Sequence, residues 1–283
     1  MQQKFLTYQG GLLIILTTLC FASMDAQVKY FSNQISFLIF LWAKYLGQFI
    51  FLSVFFFKSR KTLLHYGNLK IQLLRGFCSV APTLCFFYAI KFVPLAEASA
   101  LVFFHPLIVV ILSAFLLKEH ITKRQIYLVL FGLIGVLIII RPGLGVIHPA
   151  SFLVVLAGTF FAVYQISTKY LIRISNSTST LFFTTIFSLF ISSVLLIFLQ
   201  SYDSIHYSML LIFFGLLSAI GEYCLIRAYK SETASFLTPL FYSQLIWGIM
   251  YGFILFNQLP DAFSILGMVI LVSVGLLNFY YKK

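Results

Sequence analysis

The sequence predicts an all-α membrane protein of ten transmembrane helices, built as two inverted five-helix repeats with both termini cytoplasmic. Three observations carry this: apolar runs of membrane-spanning length, loop charges that alternate from side to side, and a five-span unit that recurs at a near-constant offset. Of the 283 residues, 61% are hydrophobic and only 9% are charged, whereas a soluble chain has about a quarter of its residues charged. The apolar residues gather into stretches of about twenty. One such stretch, wound as an α-helix, crosses the ~30 Å hydrocarbon layer.

These stretches place spans at 9–28, 35–57, 71–91, 95–117, 124–141, 151–171, 178–199, 207–228, 233–256 and 262–281. Lys4, the 58–70 loop with Lys58, Arg60, Lys61 and Lys70, the turn with Lys118, Lys123 and Arg124, then Lys169, Arg173, Arg227, Lys230, Lys282 and Lys283 all fall on one side. The other side has Lys29, Lys91 and Arg141. Excess Lys and Arg mark the cytoplasmic face. The net charge of +12 is therefore read as topology and does not call for a nucleic-acid partner. Lys4 ahead of an apolar run imitates a secretory signal, but no small-x-small cleavage pattern follows, so the first span is expected to be retained.

Shifting the chain by 139 residues superposes YAIKF (88–92) on RAYKS (227–231), Gly76 on Gly215, Cys85 on Cys224, Leu101 on Leu240, His105 on Gln244 and Glu119 on Gln258. A shift of 140 superposes Phe21 on Phe161, Ala22 on Ala162, Asp25 on Gln165, Lys29 on Lys169 and Tyr30 on Tyr170. The boundary is drawn at 143/144, giving repeats 1–143 and 144–283. With five spans in each, the second copy enters the membrane from the opposite face. Inverted repeats place a substrate site near the midplane between the halves and expose it alternately to either side.

Ionisable groups within spans are expensive and face the bundle interior or a wet cavity. In span one, Asp25 and Lys29 stand one turn apart on one face. They read as a local ion pair, or else Asp25 borders the cavity as an amine or proton site. Lys169 keeps the lysine where Gln165 replaces the acid, so Lys29 reads as an interfacial anchor. Lys44 in span two suits the cavity, or a pairing with Asp25 or Glu222. Arg75 at the start of span three reads as a cytoplasmic anchor, and Glu97 after Pro94 as a first-turn carboxylate favourable to the helix dipole.

His105 in span four precedes Pro106, and its mate Gln244 in span nine lies close to Pro239 and Tyr242. Proline leaves a backbone carbonyl unpaired, which is tolerated where backbone lines a cavity. Both residues are therefore pocket candidates, against the plainer reading of a core histidine and a helix-joining glutamine. Trp247 shares that face and can stack on a flat ring or simply pack. Glu222 in span eight has no local partner, which fits a proton or solute site and equally a cross-helix hydrogen bond. Gly248 and Gly252 form a GxxxG pair, read as helix packing with a homodimer seam as the alternative.

Cys20, Cys78, Cys85 and Cys224 lie within spans without a CxxC spacing, so they read as packing residues. No cofactor or metal is called for. The sequence has no HExxH, no nucleophile elbow and no clustered metal ligands, and GLG at 143–145 is a lone loop pattern. An enzyme is not expected.

The stretches RGFCSVAPTLCFFYAIKFVPLAEASALVFFHPLIVVILSAFLLKE (75–119), LIGVLIIIRPG (133–143) and TASFLTPL with ILFNQLPD (233–261) resemble the drug/metabolite transporter superfamily, specifically its EamA-type members. MDAQVKYF, LRGF and FNQLPD are more narrowly similar to bacterial S-adenosylmethionine transporters. Gln258 departs from the pattern, which usually has a Glu there. The resemblance implies carriage of a small organic molecule across a bacterial inner membrane by alternating access, often coupled to protons or counter-substrate. Uptake of S-adenosylmethionine or a similar cationic, aromatic metabolite is the leading expectation. Export of amino acids or toxic compounds, and a non-transporting sensor or scaffold, are the alternatives. The expected solute residues are His105, Gln244, Tyr242, Trp247, Glu222 and Lys44, with Asp25 and Glu222 for an amine or a proton. The expected partners are the solute and the bilayer, with the chain a monomer or homodimer.

Overall fold

The computed structural model describes residues 2–31, 34–55, 67–89, 92, 101–140, 149–198, 208–257 and 262–280. Lys91, Pro94, Glu97, Arg141, the 143–145 loop and Gln258 lie outside these. The described residues form helices α1 (Gln2–Phe31), α2 (Phe37–Phe55), α3 (Leu69–Ala89), α4 (His105–Leu117), α5 (Lys123–Ile140), α6 (Ser151–Ile174), α7 (Ser177–Phe198), α8 (Ser208–Ser231), α9 (Ala234–Leu237), α10 (Ser243–Phe256) and α11 (Ala262–Tyr280). Five of them are long and apolar enough to cross a membrane, within α1, α2, α6, α7 and α8.

The expected ninth span is not one helix. A 3-10 turn, Thr238–Tyr242, separates α9 from α10. Pro239 explains the break, because it has no N–H and its ring clashes with the preceding turn.

Side chains sort in the manner of a bundle in lipid. Phe198 and Met209 are 80% and 88% exposed on the outside, while Arg75, Gln165, Thr168 and Ser218 are fully buried inside. The helices pack chiefly across the two halves of the chain. α1 lies along α8, as α3 lies along α6; α2 crosses α8, as α3 crosses α7; α4 meets α6, as α10 meets α1; and the self-paired contacts are α2 with α7 and α5 with α11. Each of these pairs maps onto another, or onto itself, when the halves are exchanged. Such a pattern is that of a pseudo-twofold axis.

Finer geometry follows the same exchange. Lys118 and Asn257, at corresponding positions, are the two non-glycine residues with positive φ among those described, at 53° and 51°. Their N–H groups reach the corresponding carbonyls of Ser113 and Gly252. Gln48 Nε2 donates to Ser218 Oγ at 2.6 Å, and the corresponding Ser188 and Ser79 hydroxyls also lie 2.6 Å apart. Helices α2 and α8 cross at Gly47 and Gly215, where a Cβ on Gly47 would sit 2.3 Å from the Gly215 Cα. Only glycine at both positions allows that approach.

One end of the bundle is laced between the halves. The Glu119 carboxylate accepts the N–H groups of Ala234 and Ser235, at 3.2 and 3.3 Å, and lies 3.7 Å from Arg173. Lys169 was placed among the charges of the cytoplasmic face, but it is 9% exposed. Its ammonium donates to the carbonyls of Tyr229 and Glu232. The last carbonyls of α8 lack intrahelical partners and carry the negative end of its dipole, so a cation caps them.

Candidate functional site: a charged cluster between the halves

Helix α1 sits close against α8, since a Cβ on Gly221 would lie 3.1 Å from Cys20 and from the Phe21 ring. Another face of α1 is turned to α10. There Gln244 Nε2 donates to Asp25 Oδ2 at 2.9 Å, with Thr18 bonded to Ser243 at 2.7 Å and Ser23 to Tyr251 at 2.5 Å. Asp25 itself is exposed. One turn beyond Gln244, a Cβ on Gly248 would meet no atom of the described residues within 4 Å. A carboxylate turned to hydrocarbon is costly, so the exposed side of Asp25 calls for water rather than lipid. Among the described residues no helix of this chain packs against Gly248, so the first glycine of the GxxxG pair makes no packing contact within the chain.

Next to this opening lies a charged cluster. Lys44 Nζ is 3.7 Å from Glu222 Oε1 and 6.0 Å from the centre of the Phe21 ring, one turn before Asp25. Asp25 is within its electrostatic reach. The other Glu222 oxygen accepts the Tyr164 hydroxyl and lies 4.0 Å from Arg75. Arg75 is not the surface anchor its position in the sequence suggested: its side chain has no exposed area. Its guanidinium donates to Tyr164 Oη at 2.6 Å, to Thr168 Oγ1 at 2.7 Å, to the Thr180 carbonyl at 3.2 Å and to Thr184 Oγ1. It also rests 4.4 Å from the centre of the Tyr164 ring. A planar fork with five donors fits this many acceptors where a lysine would not.

Of the expected site residues, the structure brings together Asp25, Gln244, Lys44 and Glu222. His105 lies elsewhere. Its ring is 4.9 Å from that of Phe161, 5.7 Å from Phe241 and 6.1 Å from Phe103, with Nδ1 3.2 Å from the Val102 carbonyl. Tyr242 is committed to α5, donating to the Val129 carbonyl at 3.1 Å with its ring over Gly132. Trp247 is half-buried, and its ring nitrogen has no hydrogen-bond partner among the described residues. Sequence reasoning missed Tyr164 and the interior role of Arg75. The available signal was an arginine inside a span with no acid assigned to it, together with a threonine, Thr184, at the position matching Lys44.

The pseudo-twofold arrangement has its counterpart in family comparison. The profile of the EamA-like transporter family matches twice, over residues 9–141 and 148–280. The chain belongs to the EamA-like transporter family. Among relatives of this EamA-like chain, the pseudopaline exporter CntI of Pseudomonas aeruginosa is 26% identical over 270 residues, covering 93% of each protein. The S-adenosylmethionine uptake transporter of Rickettsia prowazekii is 23% identical over 284 residues, covering 100% of this chain and 97% of that one. A transporter of Helicobacter pylori is 26% identical over 283 residues, covering 95% and 93%. One solved crystal structure superposes with a TM-score of 0.77 at 16% identity, covering 100% of this chain and 99% of the other. That likeness shows the fold. The chain is thus a multi-pass membrane transporter of the drug/metabolite type.

Proposed function

We propose that this transporter takes up a small cationic organic metabolite across a bacterial inner membrane, S-adenosylmethionine or a molecule like it, by alternating access between repeats 1–143 and 144–283. Both termini are then cytoplasmic. The observation that carries this reading is Asp25, an exposed acid on α1 of the first half, met by Gln244 on α10 of the second. A carboxylate beside open space and between two repeats attracts a cation, and rocking the repeats would change the side to which it opens. The Rickettsia relative supports uptake of S-adenosylmethionine, whose sulfonium and amine are positive and whose adenine can stack on an aromatic face. The Pseudomonas relative supports the second reading, export of a metabolite through the same site.

The test is purified protein in liposomes, a panel of labelled metabolites, and both directions of solute gradient with and without a pH gradient. Asp25→Asn is expected to abolish transport of cationic solutes while the protein still folds, as judged by gel filtration. Full uptake by that variant would remove Asp25 from the site. Movement of no compound at all by the wild-type chain would remove the carrier reading.

A further inference from the structure

One cation serves two acids here. Lys44 on α2 is 3.7 Å from Glu222 on α8 and within electrostatic reach of Asp25 on α1, and its ammonium lies 6.0 Å from the ring of Phe21, one turn before Asp25 on α1. The two acids differ in what else holds them. Glu222 has the Tyr164 hydroxyl from α6 and the Arg75 guanidinium from α3, so it is provided for without Lys44. Asp25 has the neutral amide of Gln244. Lys44 is also the accessible member of the inner cluster, with 17% of its side chain exposed against 5% for Glu222 and none for Arg75.

We infer that Lys44 is a tethered competitor for the solute's positive group, a specificity-determining residue rather than a ligand of the solute. In the empty carrier it balances Asp25 across the opening. A cationic solute docking on Asp25 takes over that balance, and Lys44 is left to the Glu222 carboxylate it already faces at 3.7 Å. The charges support this. Arg75 and Lys44 against Glu222 and Asp25 sum to zero, so the empty site can cross between its two states without an uncompensated charge in the bundle. Without Lys44 the empty site is negative and must take a proton on Asp25 to do the same. The inference rests on the cation reading of Asp25.

Two measurements on Lys44→Gln test it, and the first needs no solute. The titratable and charged groups facing Lys44 are Asp25 from α1, Tyr45 on its own helix and Glu222 from α8, with Arg75 and Tyr164 on the far side of Glu222. Removing Lys44 leaves one negative charge unbalanced, so Lys44→Gln is expected to be more stable at pH 5 than at pH 8 by thermal unfolding in detergent. Adding Asp25→Asn should abolish that pH dependence, and adding Glu222→Gln should leave it. The opposite outcome would make Lys44 a structural partner of Glu222 and overturn the inference, whatever the chain transports. The second measurement is uptake of S-adenosylmethionine into proteoliposomes. Lys44→Gln is expected to lower KM several-fold and to make turnover depend on a pH gradient that the wild type ignores. A raised KM would show that Lys44 binds the solute directly. Failure of the wild type to move this probe counts against the proposed function, and the stability measurement still decides the role of Lys44.

Discussion

Arg75 offers the sharpest test of how the charged cluster is held. Its side chain is fully buried and reaches Tyr164, Thr168, Thr180 and Thr184, with Glu222 at 4.0 Å. Replacing it by leucine removes one of two cations, the other being Lys44 at 3.7 Å, from a carboxylate whose side chain is 5% exposed. Breaking a buried pair by deleting one partner costs about 3–5 kcal/mol, because the remaining charge loses its compensation. Glu222→Gln alone should cost less, about 1–3 kcal/mol, since Arg75 keeps four oxygen acceptors. Combining the two removes the stranded charge, so Arg75→Leu with Glu222→Gln should be less destabilised than the sum of the single variants by about 1–3 kcal/mol. Reversible unfolding in mixed detergent micelles measures all four corners of this cycle. A coupling within about 0.5 kcal/mol of zero would refute the reasoning and mean that Lys44 and Tyr164 satisfy Glu222 unaided.

Gly47→Ala is expected to destabilise by about 1–3 kcal/mol, because its Cβ would fall 2.3 Å from the backbone of Gly215. Gly248→Ala meets no atom of the described residues and should leave the unfolding midpoint unchanged or raise it. Equal losses at the two positions would contradict the crossing described for α2 and α8. Glu119→Gln weakens the lacing at one end of the bundle, where the carboxylate holds two N–H groups and Arg173. Alkylation of a reporter introduced by Ser235→Cys, buried in the present state, should then speed up several-fold. An unchanged rate would mean that the carboxylate merely trims the turn.

Much of the fold was legible because lipid leaves few alternatives. A backbone in hydrocarbon must satisfy its own hydrogen bonds, so apolar stretches of about twenty residues could be read as helices. The recurring offset made the halves visible, and the match of His105 to Gln244 extends to Lys118 and Asn257, whose left-handed turns occupy corresponding places. Asp25 stood out as an acid with only a neutral echo. The interior of the cluster was not legible. Arg75 sits six residues into α3, where a snorkelling anchor and a buried hub look the same in a string of letters. Only the crossing of α3 with α6 and α7 puts Tyr164, Thr168 and Thr184 around it.

Composition, periodicity and the repeat determined the apolar spans and the existence of two matching halves, because these depend on local transfer to lipid and on residue spacing. Which charges meet was decided by tertiary structure alone. Glu222, Lys44, Arg75 and Tyr164 come from four helices, and Asp25 meets Gln244 across 219 residues of chain. Pairing over such distances depends on helix rotation and crossing, set by close approaches such as Gly47 on Gly215. The sequence supplies those glycines without saying which helix each one admits.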